Sequence, residues 1–187
     1  KCKCKLATEW LLSVRRFMDR IQAKLQQVWG YDELRSPQRE IIECLLANRD
    51  ALIVMPTGGG KSLCFQIPAL LSSGVTLVIS PLVALMENQV QELTDKGLAA
   101  GLLHSELSVA HRKQTLQALE NRHLRLLYIS PETLLTPPVW LRLCHPELQI
   151  DRLILDEAHC LVHWGETFRP TSRRLGAVGA TLIQHKV

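Results

Sequence analysis

The chain has 187 residues, 47% apolar and 21% charged, with a formal net charge of +4. That length holds one well-buried domain and falls short of two of ordinary size. The composition is globular, and no run of about 18 uncharged apolar residues predicts a membrane span. The basic character is local. Residues 1–24 carry seven Lys/Arg against Glu9 and Asp19, a net +5, which leaves −1 of the total for everything after them. Bulk charge therefore makes no case for a nucleic-acid partner, and any such case must rest on motifs. The apolar stretch near the N-terminus is broken by Glu9, Arg15, Arg16 and Asp19, unlike a secretory signal. A cytoplasmic, nucleoid-associated protein is the expectation. Six cysteines without a C-x-x-C pair or paired histidines read as free thiols, not as a zinc site or disulfide framework.

In chain order, Leu6 to Val28 has the apolar spacing of an amphipathic helix with basic residues between, stopped by Gly30. Ser36-Pro37 predicts a second helix with proline at its first position, running to about Asn48. Ala51 to Met55 is a short apolar run that reads as a buried parallel strand. It stops at Pro56, and three glycines lead into a helical pattern that opens at Lys61-Ser62. Further strands are predicted at Val75–Ile79, Leu102–His104, Leu124–Ile129 and Ile150–Leu155, with helices at Leu82–Leu93, from Ser105 or Ser108 to Leu119, and after Ser130-Pro131. Strands alternating with helices at this spacing predict an α/β fold, a doubly wound parallel sheet with helices on both faces. Such sheets bind ligands at the C-terminal ends of their strands.

Strand, glycine turn, Lys-Ser and helix describe a phosphate-binding loop. Backbone N–H groups of Gly58, Gly59, Gly60 and Lys61 face phosphate oxygens in such a loop, Lys61 reaches the β/γ-phosphates, and the Ser62 hydroxyl ligates Mg²⁺. Met55 stands where the general signature has a small residue. Asp156-Glu157, directly after an apolar strand, supplies the other half of a nucleotide-hydrolysis site: one carboxylate for Mg²⁺, its neighbour to orient or deprotonate water. Ile79-Ser80-Pro81 and Ile129-Ser130-Pro131 repeat one pattern of strand, serine cap and proline. By themselves these pairs read as ordinary helix caps or as anion-gripping helix N-termini.

Asp156-Glu157-Ala158-His159 with Met55–Ser62 resembles the superfamily 2 helicases, and further stretches resemble the RecQ family of DNA helicases, DEAH-box type. Tyr31-Asp-Glu-Leu-Arg35-Ser-Pro-Gln38 resembles that family's adenine-recognition element. The resemblance implies Tyr31 stacking on the base, Gln38 bonding its edge and Arg35 supporting the nucleotide, with Leu34 in place of the usual Phe. Met55 to Ala69 resembles the family's ATP loop, Thr57 included, and Met55 is normal for it. Val78–Met86 and Tyr128–Glu132 resemble its two nucleic-acid-facing motifs, which implies DNA contacts for Ser80, Pro81, Ser130 and Pro131. Cys160 to Pro170 resembles the aromatic-rich loop that couples DNA contact to ATP hydrolysis, implying that role for Trp164, Phe168 and Arg169; His163 and Glu166-Thr167 depart from the commonest forms. Aromatic rings stack on single-strand bases at about 1–3 kcal/mol each, without regard to sequence.

The resemblance implies a RecA-like P-loop NTPase domain over residues 26–175, preceded by a basic helical extension at 1–25 and followed by a divergent tail at 176–187, without the second RecA-like domain. It implies ATP and Mg²⁺ as cofactors, catalysis by Lys61, Asp156 and Glu157, Mg²⁺ held by Ser62 and Asp156, and action on DNA as a monomer in repair and recombination. A truncated module that binds ATP and single strands without unwinding is the alternative, and an RNA helicase a third reading. Without an arginine finger, worth about 10³–10⁵ in rate, the 187 residues are expected to hydrolyse ATP slowly and not to unwind duplex.

Overall fold

The computed structural model describes residues 18–56 and 58–158. The chain divides into two compact units, Lys1–Leu71 and Ser72–Val187. Among the described residues no helix is long and apolar enough to cross a membrane.

The first unit is helical. Helix α1 is described over 18–29, α2 spans Gln38–Leu46, and α3 spans Lys61–Leu71. The 3.6-residue apolar period predicted from the sequence buries Ile21, Leu25, Ile42 and Ile67 together, with Met18, Trp29, Leu34 and Leu63 packed around them. Gly30 ends α1 at φ +70°, its N–H donating to Gln26 O at 3.0 Å, as a helix-stopping glycine should. Pro37 sits one residue earlier than expected, at the N-cap of α2 after a cis Ser36–Pro37 bond.

The strand expected over Ala51 to Met55 is a correction. The backbone there is irregular, and Leu52 and Val54 are 91% and 88% exposed. An apolar run supplies the tendency to extend, but a strand exists only through a partner's ladder. None of the described strands pairs with this segment.

Among its described residues the second unit holds four parallel strands: β1 (Val75–Ile79), β2 (Ala100–Leu103), β3 (Leu126–Ile129) and β4 (Ile150–Leu155), in the spatial order β2-β3-β1-β4. The connecting helices are α4 (Val83–Asp95), α5 (Val109–Glu120), and the short α6 (Pro131–Leu134) and α7 (Pro137–Leu143). Side chains alternate across a strand. Val75, Leu77, Ile79, Leu103, Leu127 and Ile129 share a cluster with Leu119, Leu134, Val139 and Leu143 of the helices. Thr76, Val78, Leu126 and Tyr128 point the other way and are equally buried, and α4 packs on β2 and β3 with Met86 and Leu93 inside. Burial on both faces explains why β1 and β3 read as continuous apolar runs.

Cys64 is fully buried on α3, its thiol donating weakly to Gly60 O at 3.8 Å. Burial pushes the thiol up to about 11, the backbone bond opposing this only in part. At pH 8 about one Cys64 in a thousand is then thiolate, the form that reacts. Native-state alkylation followed by mass spectrometry is expected to label half-exposed Cys44 and spare Cys64; equal labelling would contradict the burial.

Candidate functional site

In the first unit the glycine segment forms a tight turn into α3. Gly59 N–H donates to Pro56 O at 3.0 Å, closing a tight turn, and Gly58 and Gly60 both stand at φ +77°. A left-handed residue is costly for any side chain and free for glycine. Helix α3 begins at Lys61, so its first N–H groups have no partner within the helix, and its first turn contains no acidic residue to occupy its positive end. Thr57 lies outside the described residues.

Gln38 ties this loop to the segment expected to read adenine. It is buried; its Nε2 donates to Gly60 O at 3.2 Å and Gly59 O at 3.4 Å, and its Oε1 accepts from Arg35 N–H at 2.8 Å. Tyr31 is 54% exposed, and Arg35 is exposed. Two residues that sequence reasoning passed over hold the intervening stretch: Gln22 donates to Asp32 O, and Gln26 Nε2 reaches Asp32 Oδ1 at 3.5 Å. A glutamine on a helix carries no signal of that task.

The Gln38 contact makes two glycines with the same φ behave differently. A Cβ at Gly60 would lie 2.3 Å from Gln38 Nε2, whereas a Cβ at Gly58 meets nothing within 4 Å. Gly58→Ala is expected to cost about 1–2 kcal/mol in denaturant unfolding, from backbone strain alone. Gly60→Ala should cost more and loosen the loop. Equal costs would show that Gln38 does not brace it.

In the second unit the sheet register brings separate segments level. Leu103 pairs with Ile129, Ile129 with Ile79, and Ile79 with Leu155. The next residues, His104, Ser130, Ser80 and Asp156, therefore follow one another along the C-terminal edge. Asp156 N–H donates to Ile79 O at 2.9 Å, and Glu157 N–H donates to Asp156 Oδ1 at 3.1 Å. Glu157 stands at φ +52°, the sort of left-handed strain that clusters at functional sites. His104, expected as the last residue of a strand, instead follows β2, and a lone histidine at a strand end carries no signal in the sequence. It is buried, with Nε2 3.3 Å from Glu87 Oε1, an ion-pair distance without hydrogen-bond geometry.

The two Ser-Pro pairs differ, which corrects their reading as one device. Ser130 is the N-cap of α6 with Pro131 at N1, its hydroxyl donating to Thr133 Oγ1 at 3.0 Å. Ser80 lies two residues ahead of the N-cap of α4, which is Leu82, and its hydroxyl oxygen accepts from Leu82 N–H at 3.4 Å. A proline right after a strand can start a helix only if the chain already turns there, and at Ser80 it turns later. Ser80, Ser130 and Pro131 are buried and Pro81 is half-buried. Trp164, Phe168 and Arg169 lie outside the described residues. Among the described residues no three His, Cys, Asp or Glu cluster to hold a metal. Mg²⁺ needs no such cluster, since it is bound through one or two carboxylates and substrate phosphates with retained waters.

One unit thus carries a glycine loop opening a helix, and the other a parallel α/β sheet with an acidic pair at a strand end. The DEAD/DEAH box helicase family model matches residues 35–184, and the chain belongs to that family. It is 59% identical over 166 residues to the ATP-dependent DNA helicase RecQ of Synechocystis sp., covering 89% of this chain and 35% of that protein. It is 42% identical to the RecQ helicase of Haemophilus influenzae, covering 84% and 25%, and 39% identical to the probable ATP-dependent DNA helicase RecS of Bacillus subtilis, covering 85% and 32%. The chain thus spans about a quarter to a third of the length of these relatives.

Proposed function

We propose that the chain is the ATP-binding motor half of a 3′→5′ ATP-dependent DNA helicase of RecQ type, binding ATP–Mg²⁺ and single-stranded DNA. The observation that carries this is the glycine turn: two left-handed glycines, a helix N-terminus without acidic residues, and Lys61-Ser62 opening it. A phosphate chain fits there, because backbone can approach closely where no Cβ intervenes. Lys61 would hold the β/γ-phosphates, and Ser62 and Asp156 would hold Mg²⁺. Tyr31 would stack on adenine while Arg35 supports the nucleotide. Gln38 would exchange one of its loop contacts for the base edge. Bound ATP supplies the phosphoanhydride bond; Glu157 would orient the attacking water and take its proton. Ser80, Pro81, Ser130, Pro131, Trp164, Phe168 and Arg169 would meet the DNA strand. The setting we propose is cytoplasmic and nucleoid-associated, in DNA repair and recombination, as a monomer.

ATPase assays on the chain with and without single-stranded DNA test this reading. Turnover that rises with DNA and less with RNA is expected. ATP binding without any DNA-stimulated turnover would favour a binding module instead. Absence of ATP binding would remove both readings.

A further inference from the structure

We infer that Asp151 is a positioning residue for the Asp156–Glu157 pair, as the extra residue of a β-bulge that sets the phase of β4. The functional part of this inference rests on the motor reading above. Val75 pairs with Ile150 but Thr76 pairs with Arg152, so the register skips Asp151 and then runs one-to-one as far as Ile79 and Leu155. A bulge of this kind is rare between parallel strands, and bulges recur beside active sites, where they re-aim side chains.

The apolar packing records the phase change. Ile150 and Leu153 both pack into the cluster containing Leu77 and Ile79, although three residues apart. A regular strand would put them on opposite faces. Without the skipped residue, Arg152 and Ile154 would share the face of Ile150, placing a guanidinium toward the apolar cluster. With it, Leu153 and Leu155 lie beside Leu77 and Ile79, and the ladder runs on to the Asp156 N–H.

The bulge is held from the neighbouring turn. Asp151 Oδ2 accepts from Gly74 N–H at 2.7 Å, and Oδ1 accepts from Gln149 Nε2 at 2.8 Å. Gln149 O accepts from Val75 N–H at 2.9 Å. A Cβ at Gly74 would meet Gln149 O at 2.6 Å and Asp151 Oδ1 at 2.7 Å, so only glycine lets this turn close on the carboxylate. Arg152 Nη1 donates to Ser72 Oγ at 2.6 Å, and Arg125 donates to Ser73 O. Burial lowers the Arg152 guanidinium from its usual value, and the Asp151 charge opposes that shift. If β4 slipped by one residue, the acidic pair would move about 3.3 Å along the strand and turn to the other face.

The test compares the wild-type chain with Asp151→Ala and Asp151→Asn, reading ATPase kinetics and amide hydrogen exchange by NMR. Asp151→Ala is expected to speed exchange at the Gly74 and Asp156 amides at least about tenfold. It should lower kcat about ten- to hundredfold while KM for ATP changes less than about threefold. Asp151→Asn keeps an acceptor for Gly74 N–H and should restore both readouts to within about threefold of wild type. If Asp151→Ala does not fold, Gln149→Ala, which removes the second carboxylate contact, is expected to shift the same readouts in the same direction. Wild-type kcat and wild-type exchange at Asp156 in a folded Asp151→Ala chain, even one with a lowered melting temperature, would overturn the inference. If the wild-type chain hydrolyses no ATP, the motor reading fails by itself, and the Asp156 exchange rate still decides whether the bulge sets the phase.

Discussion

Lys61→Ala is expected to remove nucleotide binding while leaving the fold intact. Lys61 is the first residue of α3, half-buried, at the positive end of the helix, where a cation is unfavourably placed against the helix dipole. Removing it should leave the thermal midpoint within about 3 °C of wild type, since a few tenths of a kcal/mol are at stake in a chain of this size. The loss for bound triphosphate is of another order. A charge-assisted contact to phosphate is worth about 1.5–3 kcal/mol, so affinity should fall by roughly ten- to more than a hundredfold. A fluorescent-nucleotide titration with a parallel melting curve measures both. Unchanged affinity in the variant would remove the phosphate-loop assignment.

Glu157→Gln is expected to separate binding from turnover. The substitution preserves shape and the left-handed backbone at φ +52°, so its structural cost is small. It removes the group proposed to take a proton from water, a contribution of about 10²–10⁴ in rate. Single-turnover hydrolysis should slow by that factor, while the dissociation constant for ATP–Mg²⁺ stays within about threefold. Hydrolysis at the wild-type rate would assign the proton to another group and leave Glu157 a strained turn residue.

Where the chain's own period decides the outcome, structure was legible in the sequence. The runs at Val75–Ile79 and Ile150–Leu155 form strands with the predicted bounds; the first is buried along its whole length, as an all-apolar run needs, and the second is buried only at Ile150. Ser108 caps α5 as expected, accepting from His111 N–H at 3.3 Å. Pairing was not legible. The run Leu52-Ile53-Val54 is as apolar as the strands that form, yet no described strand pairs with it. The skipped residue at Asp151 was equally invisible, since a single aspartate before an apolar run resembles any strand edge. Gln38 shows a third limit. Its place in the motif is readable, but its bonds to the Gly59 and Gly60 carbonyls depend on a turn 21 and 22 residues away.

The level strand ends leave the chain two unequal margins for change. Each of Leu103, Ile129, Ile79 and Leu155 stops at the same height, so one residue gained or lost just before any of them would displace the side chain that follows from the row it shares with the other three. The connections that enter the strands from the opposite rim, near 96–99, 121–125 and 144–148, can lengthen without moving that row, because pairing and the bulge at Asp151 re-establish the register after them. Evolutionary drift in length should accumulate on the entry rim, while the exit rim keeps its spacing.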